Sequence, residues 1–128
     1  MKKTKRTERI AELVQREVGT MLLTEGHGGQ FSNITLTDCR VTPDLRIAHL
    51  YYAVFAQHGD QKREAVIEAA QQQLDAAAGR LRYQLGRVMR SKFTPELHFH
   101  FDETLERARR IEAVLDEIGP LDVEPTER

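Results

Sequence analysis

Residues 33–56 read NITLTDCRVTPDLRIAHLYYAVFA, and they predict two paired strands from which the rest of the fold follows. Alternating apolar residues predict a first strand over residues 33–41, and a change of parity near Asp38 indicates a bulge. A Pro-Asp pair that is typical of a turn follows. A second strand is predicted over residues 47–56, with one face formed by Ala48, Leu50, Tyr52 and Val54. The short connection between the two strands predicts an antiparallel hairpin.

Amphipathic helices are predicted on both sides of this hairpin. Residues 4–24 carry an apolar stripe at helical spacing. After the hairpin, a second helix is predicted to begin near Asp60 and to run to about Ala78. Gly79 interrupts a pattern that continues to Met89, and a glycine inside a helix costs about 1 kcal/mol relative to alanine. The sequence therefore predicts two helices that meet at Gly79.

One more strand and one more helix are predicted in the last third of the chain. Leu97, Phe99 and Phe101 alternate with His98 and His100, which is the pattern of a half-buried strand. A last helix is predicted to start at Asp102 or Thr104, with an inward face formed by Leu105, Ala108, Ile111, Leu115 and Ile118. These elements define an α+β domain over residues 1–118, followed by a short, acidic and disordered tail at residues 119–128.

Length and composition predict one soluble globular domain. The chain has 128 residues, of which 40% are hydrophobic and 30% are charged, and its formal net charge is −1. No apolar stretch approaches the roughly 18 residues that a membrane-spanning helix needs. The only cysteine is Cys39, which excludes a disulfide within the chain and favours the reducing cytoplasm.

Basic residues are concentrated in two segments although the whole chain is nearly neutral. Residues 2–9 contain five basic residues and one acidic residue, and residues 79–92 contain five basic residues and no acidic residue. Helical spacing places four side chains of the second segment on one side: Arg80, Tyr83, Arg87 and Arg90. Arginine neutralises phosphate and tyrosine stacks on unpaired bases. The segment therefore predicts a nucleic-acid-binding surface, and the alternative is an ordinary solvated helix face.

Three segments resemble the ribosome-binding factor A family of bacteria. They are RIAEL at residues 9–13, AAGRLR at residues 77–82, and PEL at residues 95–97 followed by Phe99, Phe101 and Asp102. The similarity runs from about Arg6 to Ile118. It implies a single KH-like domain of type II topology, with a three-stranded sheet and an extra C-terminal helix. It also implies that a kink at Ala77, Ala78 and Gly79 replaces the usual Gly-x-x-Gly loop.

The same resemblance implies a function. Members of the family bind the free small (30S) ribosomal subunit, assist late 16S rRNA maturation including 5′-end processing, are not enzymes, and are linked to growth in the cold. We therefore expect a cytoplasmic monomer that needs no cofactor, no metal and no small-molecule substrate. We expect the rRNA contacts to come from Lys3, Lys5, Arg6, Arg9, Ala77, Gly79, Arg80, Arg82, Tyr83, Arg87, Arg90 and Lys92.

Two alternatives from other functional classes stay open at this point. The first is a protein-interaction module that forms a homodimer through Tyr51 and Phe55 without binding RNA. The second is a small metallohydrolase, because His98 and His100 share a strand face and could bind zinc. The sequence contains no Gly-x-Ser-x-Gly, no phosphate-binding Gly-Lys-Ser/Thr and no His-Glu-x-x-His motif. A literal Gly-x-x-Gly at residues 26–29 precedes the first strand, so we interpret it as a loop.

Overall fold

The computed structural model describes residues 4–25, 31, 33–55, 63–90, 92–104, 107–108, 111–112 and 115. Its elements are α1 (Lys5–Glu25), β1 (Ile34–Val41), β2 (Ile47–Val54), α2 (Arg63–Val88) and β3 (Glu96–Phe101). The predicted α+β class and the three-stranded sheet are confirmed. No helix in these ranges is long and apolar enough to cross a bilayer.

The sheet has the strand order β1-β2-β3. β1 and β2 pair antiparallel, as predicted for the hairpin, and a register shift between Leu36 and Asp38 confirms the bulge. In the turn, Leu45 has a φ of 63°, a left-handed conformation that leucine rarely adopts, and its amide donates to the Thr42 carbonyl oxygen at 2.8 Å. β2 and β3 pair parallel, and a parallel pair needs a long crossover connection, which contains α2.

The beginning of α1 is fixed by reciprocal capping between two threonines. The Thr7 amide donates to the Thr4 hydroxyl at 3.1 Å, and the Thr4 amide donates to the Thr7 hydroxyl at 2.8 Å. These bonds satisfy backbone donors that a helix end would otherwise leave without partners. The capping therefore agrees with the helix start predicted near Thr4.

Both helices pack on one face of the sheet and enclose a single core. Its fully buried large side chains are Val14, Val18, Leu50, Tyr52, Val54, Leu74, Leu81 and Leu85. The predicted inward faces of α1 and β2 are confirmed by this set. Val88 lies in the apolar pattern that continues to Met89 and was therefore expected to be buried, but 51% of it is exposed, because it ends α2 and the chain then leaves the helix towards β3.

The predicted junction of two helices at Gly79 is wrong, because α2 continues through this residue from Arg63 to Val88. Gly79 is exposed, its φ lies outside the left-handed region, and a Cβ atom there would meet nothing within 4 Å. Buried residues on both sides of it, Ala77 and Leu81, pack into the same core. This packing, together with the alanines that precede Gly79, outweighs the roughly 1 kcal/mol cost of one glycine.

The C-terminal segment is helical at residues 103–104, 107–108, 111–112 and 115. The Thr104 amide donates to the Asp102 carboxylate at 3.0 Å, which confirms Asp102 as the cap. The predicted inward face was wrong: Ala108 is exposed, and so are Ile111 (60%) and Leu115 (39%). The physical reason is that α1 and α2 already cover the core face of the sheet. The remaining predictions concern residues outside the described ranges: Asp60, Leu105, Ile118 and the tail at residues 119–128.

Candidate nucleic-acid interface

A cleft lies between the C-terminal half of α2 and the segment that leads into β3. We call it the α2–β3 cleft, and it is lined by Gly79, Arg82, Tyr83, Gly86, Arg87, Lys92, Phe93 and Thr94. The two glycines are seven residues apart, which places them on the same side of the helix two turns from each other. Because glycine has no side chain, the helix backbone itself is accessible at the floor of the cleft.

The wall opposite α2 is fixed by a close approach and by hydrogen bonds. A Cβ atom on Gly86 would lie 3.0 Å from the Thr94 hydroxyl oxygen, so only glycine allows this packing without displacement of Thr94. The Arg82 guanidinium donates twice to the Thr94 carbonyl oxygen, at 3.2 and 2.9 Å. Arg82 therefore anchors the wall of the cleft, and part of its donor capacity is used inside the protein.

Cations and aromatic rings are presented on both walls. Tyr83 on α2 is 70% exposed, and Phe93 on the opposite segment is 48% exposed. Arg87 and Lys92, one on each wall, are also exposed. The Arg46 guanidinium lies 5.2 Å from the centre of the Phe93 ring, so the β1–β2 turn contributes a further cation. Such a surface can pair with phosphates through its cations and stack bases on its rings.

The structure does not bring together every residue that the sequence assigned to the helix surface. Arg80 lines a separate depression nearer the start of α2, together with Gln72 and Gln73. Arg90 is exposed beyond the end of α2. Ala77 is 2% exposed and packs in the core, so its side chain supports the helix and is not available to a ligand.

The basic residues of the N-terminal segment occupy a different surface. Lys5, Arg6 and Arg9 are exposed on the first turns of α1. Arg6 and Arg9 line a shallow concavity with Arg16. Lys3 lies outside the described residues.

Sequence reasoning missed four residues of the cleft region: Gly86, Phe93, Thr94 and Arg46. For Gly86 a pattern was present, because a Gly-Arg pair at residues 79–80 recurs seven residues later. Phe93 could have been suspected as an aromatic residue next to Lys92 in a segment before proline. Nothing local marks Arg46, whose position beside Phe93 depends on the parallel pairing of β2 and β3.

A buried polar network holds α2 on the sheet and so positions the cleft. The Tyr52 hydroxyl donates to the Gln71 side-chain oxygen, and the Gln71 amide group donates to the Phe99 carbonyl oxygen at 2.8 Å. Burial, followed by the nearby Asp75 carboxylate, raises the pKa of Tyr52 to about 12. Tyr52 therefore stays a neutral donor that ties β2 to α2.

Cys39 and the histidines of the sheet are the side chains that could act as a nucleophile or bind a metal ion. Burial, followed by the neighbouring Asp38, raises the pKa of the Cys39 thiol to about 12, so the thiol stays protonated at neutral pH. A third histidine lies beside the predicted pair His98 and His100: Nδ1 of His49 lies 2.9 Å from Nε2 of His100 on the neighbouring strand. Among the described side chains, no group of three or more His, Cys, Asp or Glu residues could hold a metal ion.

Fold and cleft together define the class: a small α+β protein with a cationic surface that presents aromatic rings. The family model described as "Ribosome-binding factor A" matches residues 6–115, which is most of the chain. The chain therefore belongs to the ribosome-binding factor A family.

Curated relatives and solved structures agree with this assignment. Ribosome-binding factor A of Desulfatibacillum aliphaticivorans is 36% identical over 122 residues, which cover 95% of this chain and 94% of the relative. The protein of that name from Xylella fastidiosa is 37% identical over 127 residues, covering 98% and 96%. The crystal structure of ribosome-binding factor A from Thermus thermophilus covers 73% of this chain and 93% of its own, with a TM-score of 0.60 at 19% identity. At that identity the structural likeness shows the fold alone.

Proposed function

We propose that this protein binds the free small ribosomal subunit through the α2–β3 cleft and assists late maturation of its 16S rRNA, including processing of the 5′ end. One observation carries the proposal: the cleft places the cations Arg87 and Lys92 beside the exposed rings of Tyr83 and Phe93. The curated relatives are named for binding the ribosome, which supports ribosomal RNA as the proposed partner.

Phosphate contacts supply the affinity in this proposal. Each lysine or arginine that neutralises a phosphate releases condensed counterions, so affinity falls as salt rises. The described part of α2 from Gly79 to Val88 contains no acidic residue, so its cations have no carboxylate within their own segment. Arg80, Arg90 and the basic residues at the start of α1 extend the cationic surface beyond the cleft.

Unpaired bases supply the recognition. The major groove of an RNA duplex is too narrow for side chains, so proteins read RNA mainly at splayed bases and by shape. Tyr83 is 70% exposed and offers its ring to a base that is not stacked in a duplex. Phe93 on the opposite wall is 48% exposed, and the Arg46 and Lys92 cations that lie 5.2 and 5.7 Å from its ring centre add positive charge beside the base. The protein performs this role in the cytoplasm as a monomer and without a cofactor.

Sedimentation with purified ribosomal particles tests the proposed partner. We expect the protein to pellet with free small subunits, and to do so less when salt rises from about 50 to about 200 mM, because phosphate contacts dominate. Large subunits of the same concentration are the matched control. Equal binding to both subunits, or binding that salt does not weaken, would contradict the proposal.

A genetic test addresses the maturation step separately. In cells that lack the gene we expect free small subunits to accumulate 16S rRNA with an unprocessed 5′ end, and we expect the wild-type gene to restore processing. Primer extension on the rRNA of isolated small subunits measures the 5′ end. Normal 5′ ends in cells without the gene would contradict the maturation role and would leave binding to be judged from sedimentation.

A further inference from the structure

The face of the sheet opposite the helices carries a row of rings that the proposed RNA contact does not use. In register, Arg40 on β1 lies beside His49 on β2, which lies beside His98 on β3. In the next row, Tyr51 on β2 lies beside His100 on β3. Because side chains on neighbouring strands that share a row point to the same side, these residues form one face. We call it the histidine–tyrosine face.

The rings of this face contact one another. His100 lies between Tyr51 and His49, with centroid distances of 5.2 and 5.0 Å and interplanar angles of 31° and 36°. His98 meets His49 edge to face at 5.7 Å. These distances are typical of interacting aromatic pairs, so the rings form a continuous platform instead of separate solvated side chains.

Carboxylates flank the platform on two sides. Asp38 pairs in register with Tyr51, and Glu96 contacts His98 with an oxygen 3.3 Å from Nε2. Arg40 is the one cation that the described parts of β1, β2 and β3 place in these rows. Its Nε lies 3.2 Å from Asp38 and its guanidinium carbon lies 6.0 Å from the centre of the Tyr51 ring, so one guanidinium of the chain itself is already seated on this face. Arg40 offsets one of these two carboxylates, so with uncharged imidazoles the face carries one net negative charge, whereas the cleft and the start of α1 on the helical side are basic.

We propose that the histidine–tyrosine face docks a basic protein segment, whose arginine or lysine side chains lie over the rings and pair with Asp38 and Glu96. A cation over an aromatic ring is stabilised by the ring's negative face, and a carboxylate at the edge adds an ion pair. RNA is the less favoured occupant because its phosphates would meet two carboxylates. The protein would then hold RNA on its helical side and a basic protein segment on its sheet side.

Acid should weaken this docking. Burial, followed by the neighbouring His100 and His98, lowers the pKa of His49, so its imidazole is uncharged at neutral pH. The charged groups that face it are Arg40 from β1 and the two β3 histidines, with Asp38 and Glu96 at the edges. Protonation of His49, which needs a pH below the ordinary pKa of histidine because its pKa is lowered, would add positive charge that repels a cationic segment and attracts RNA. A fall in pH is therefore expected to weaken the binding of a basic protein segment and to strengthen the binding of RNA, which distinguishes the two ligands.

Fluorescence anisotropy with the full-length protein tests the proposal. The probes are a labelled peptide of alternating arginine and serine, a peptide with glutamate in place of arginine, and a labelled oligouridylate. We expect the arginine peptide to bind, the glutamate peptide not to bind, and the affinity for the arginine peptide to fall between about pH 8 and pH 5.

Variants assign the binding to the face. Tyr51→Ala combined with Glu96→Gln should weaken the arginine peptide about tenfold, whereas Tyr51→Phe alone should bind like wild type because the ring remains. Tyr83→Ala, in the cleft, is the matched control and should leave peptide binding unchanged; circular dichroism verifies the fold of each variant. Equal peptide binding by the double variant, or RNA binding through this face that strengthens in acid, would overturn the proposal. A second copy on the face, seen as a dimer that Tyr51→Ala dissociates, would also overturn it.

Discussion

Reversal of two charges in the α2–β3 cleft, Arg87→Glu with Lys92→Glu, is expected to weaken binding to free small subunits about 100-fold. Each cation occupies a different wall, and a charge-assisted contact to phosphate contributes about 1.5 kcal/mol or more, which is roughly tenfold in affinity. The affinity of the variant should also depend less on salt, with the magnitude of the slope of log affinity against log salt smaller by about 2. Sedimentation across a salt series measures both quantities.

A control with the same change in net charge separates the site from overall electrostatics. Arg40→Glu with Arg107→Glu reverses two exposed cations that do not line the cleft. We expect this variant to bind small subunits much more tightly than the cleft variant. If both double variants weakened binding equally, the cleft would have no special role and the affinity would come from net charge alone.

The same substitution at the two cleft glycines is expected to have opposite consequences. Gly79→Val meets open space and replaces the poorer helix former, so the free energy of unfolding should stay within about 0.5 kcal/mol of wild type. Gly86→Val places a branched side chain against Thr94, where even a Cβ atom would lie 3.0 Å from the hydroxyl oxygen. Overpacking of this kind costs about 1–3 kcal/mol.

We expect the substitution at Gly86 to affect binding through the cleft as well as stability. In Gly86→Val we expect the added side chain to push Thr94 away from α2 and so to weaken the Arg82 contact to the Thr94 carbonyl oxygen. We therefore expect this variant to lose small-subunit binding at temperatures where it is still folded. Urea unfolding and sedimentation measure the two effects. A marked loss of stability in Gly79→Val would show that a chain bend at this glycine is required after all.

Periodicity predicted the core well because burial depends on local spacing. The alternation in residues 47–54 identified Tyr52 as inward, and the structure buries it completely. Reasoning from local sequence failed at Gly79, because the low helix propensity of one glycine was taken to predict the end of a helix. Burial of Ala77 and Leu81 on either side of it is a tertiary effect that the propensity of one residue cannot report.

The cleft was predictable only in part. The run of basic residues after Gly79 indicated the correct half of α2, but charge alone could not separate Arg82, which anchors Thr94, from Arg87, which faces the cleft. The second wall of the cleft could not be predicted from the sequence, because it depends on how residues 92–94 approach α2. For the same reason, the sequence predicted that His98 and His100 share a strand face but gave no sign of His49. The parallel pairing of β2 and β3 brings His49 into contact with His100.

Crosslinking in the assembled complex shows which side chains lie against the RNA. Ultraviolet irradiation of the protein bound to free small subunits, followed by protease digestion and mass spectrometry, identifies the peptides that carry a nucleotide. We expect the crosslinked residues to include Tyr83 or Phe93, because exposed aromatic rings that stack on bases are favourably placed to react. Crosslinks found only on the strands, with both cleft rings unmodified, would contradict the assignment of the α2–β3 cleft as the RNA-binding surface.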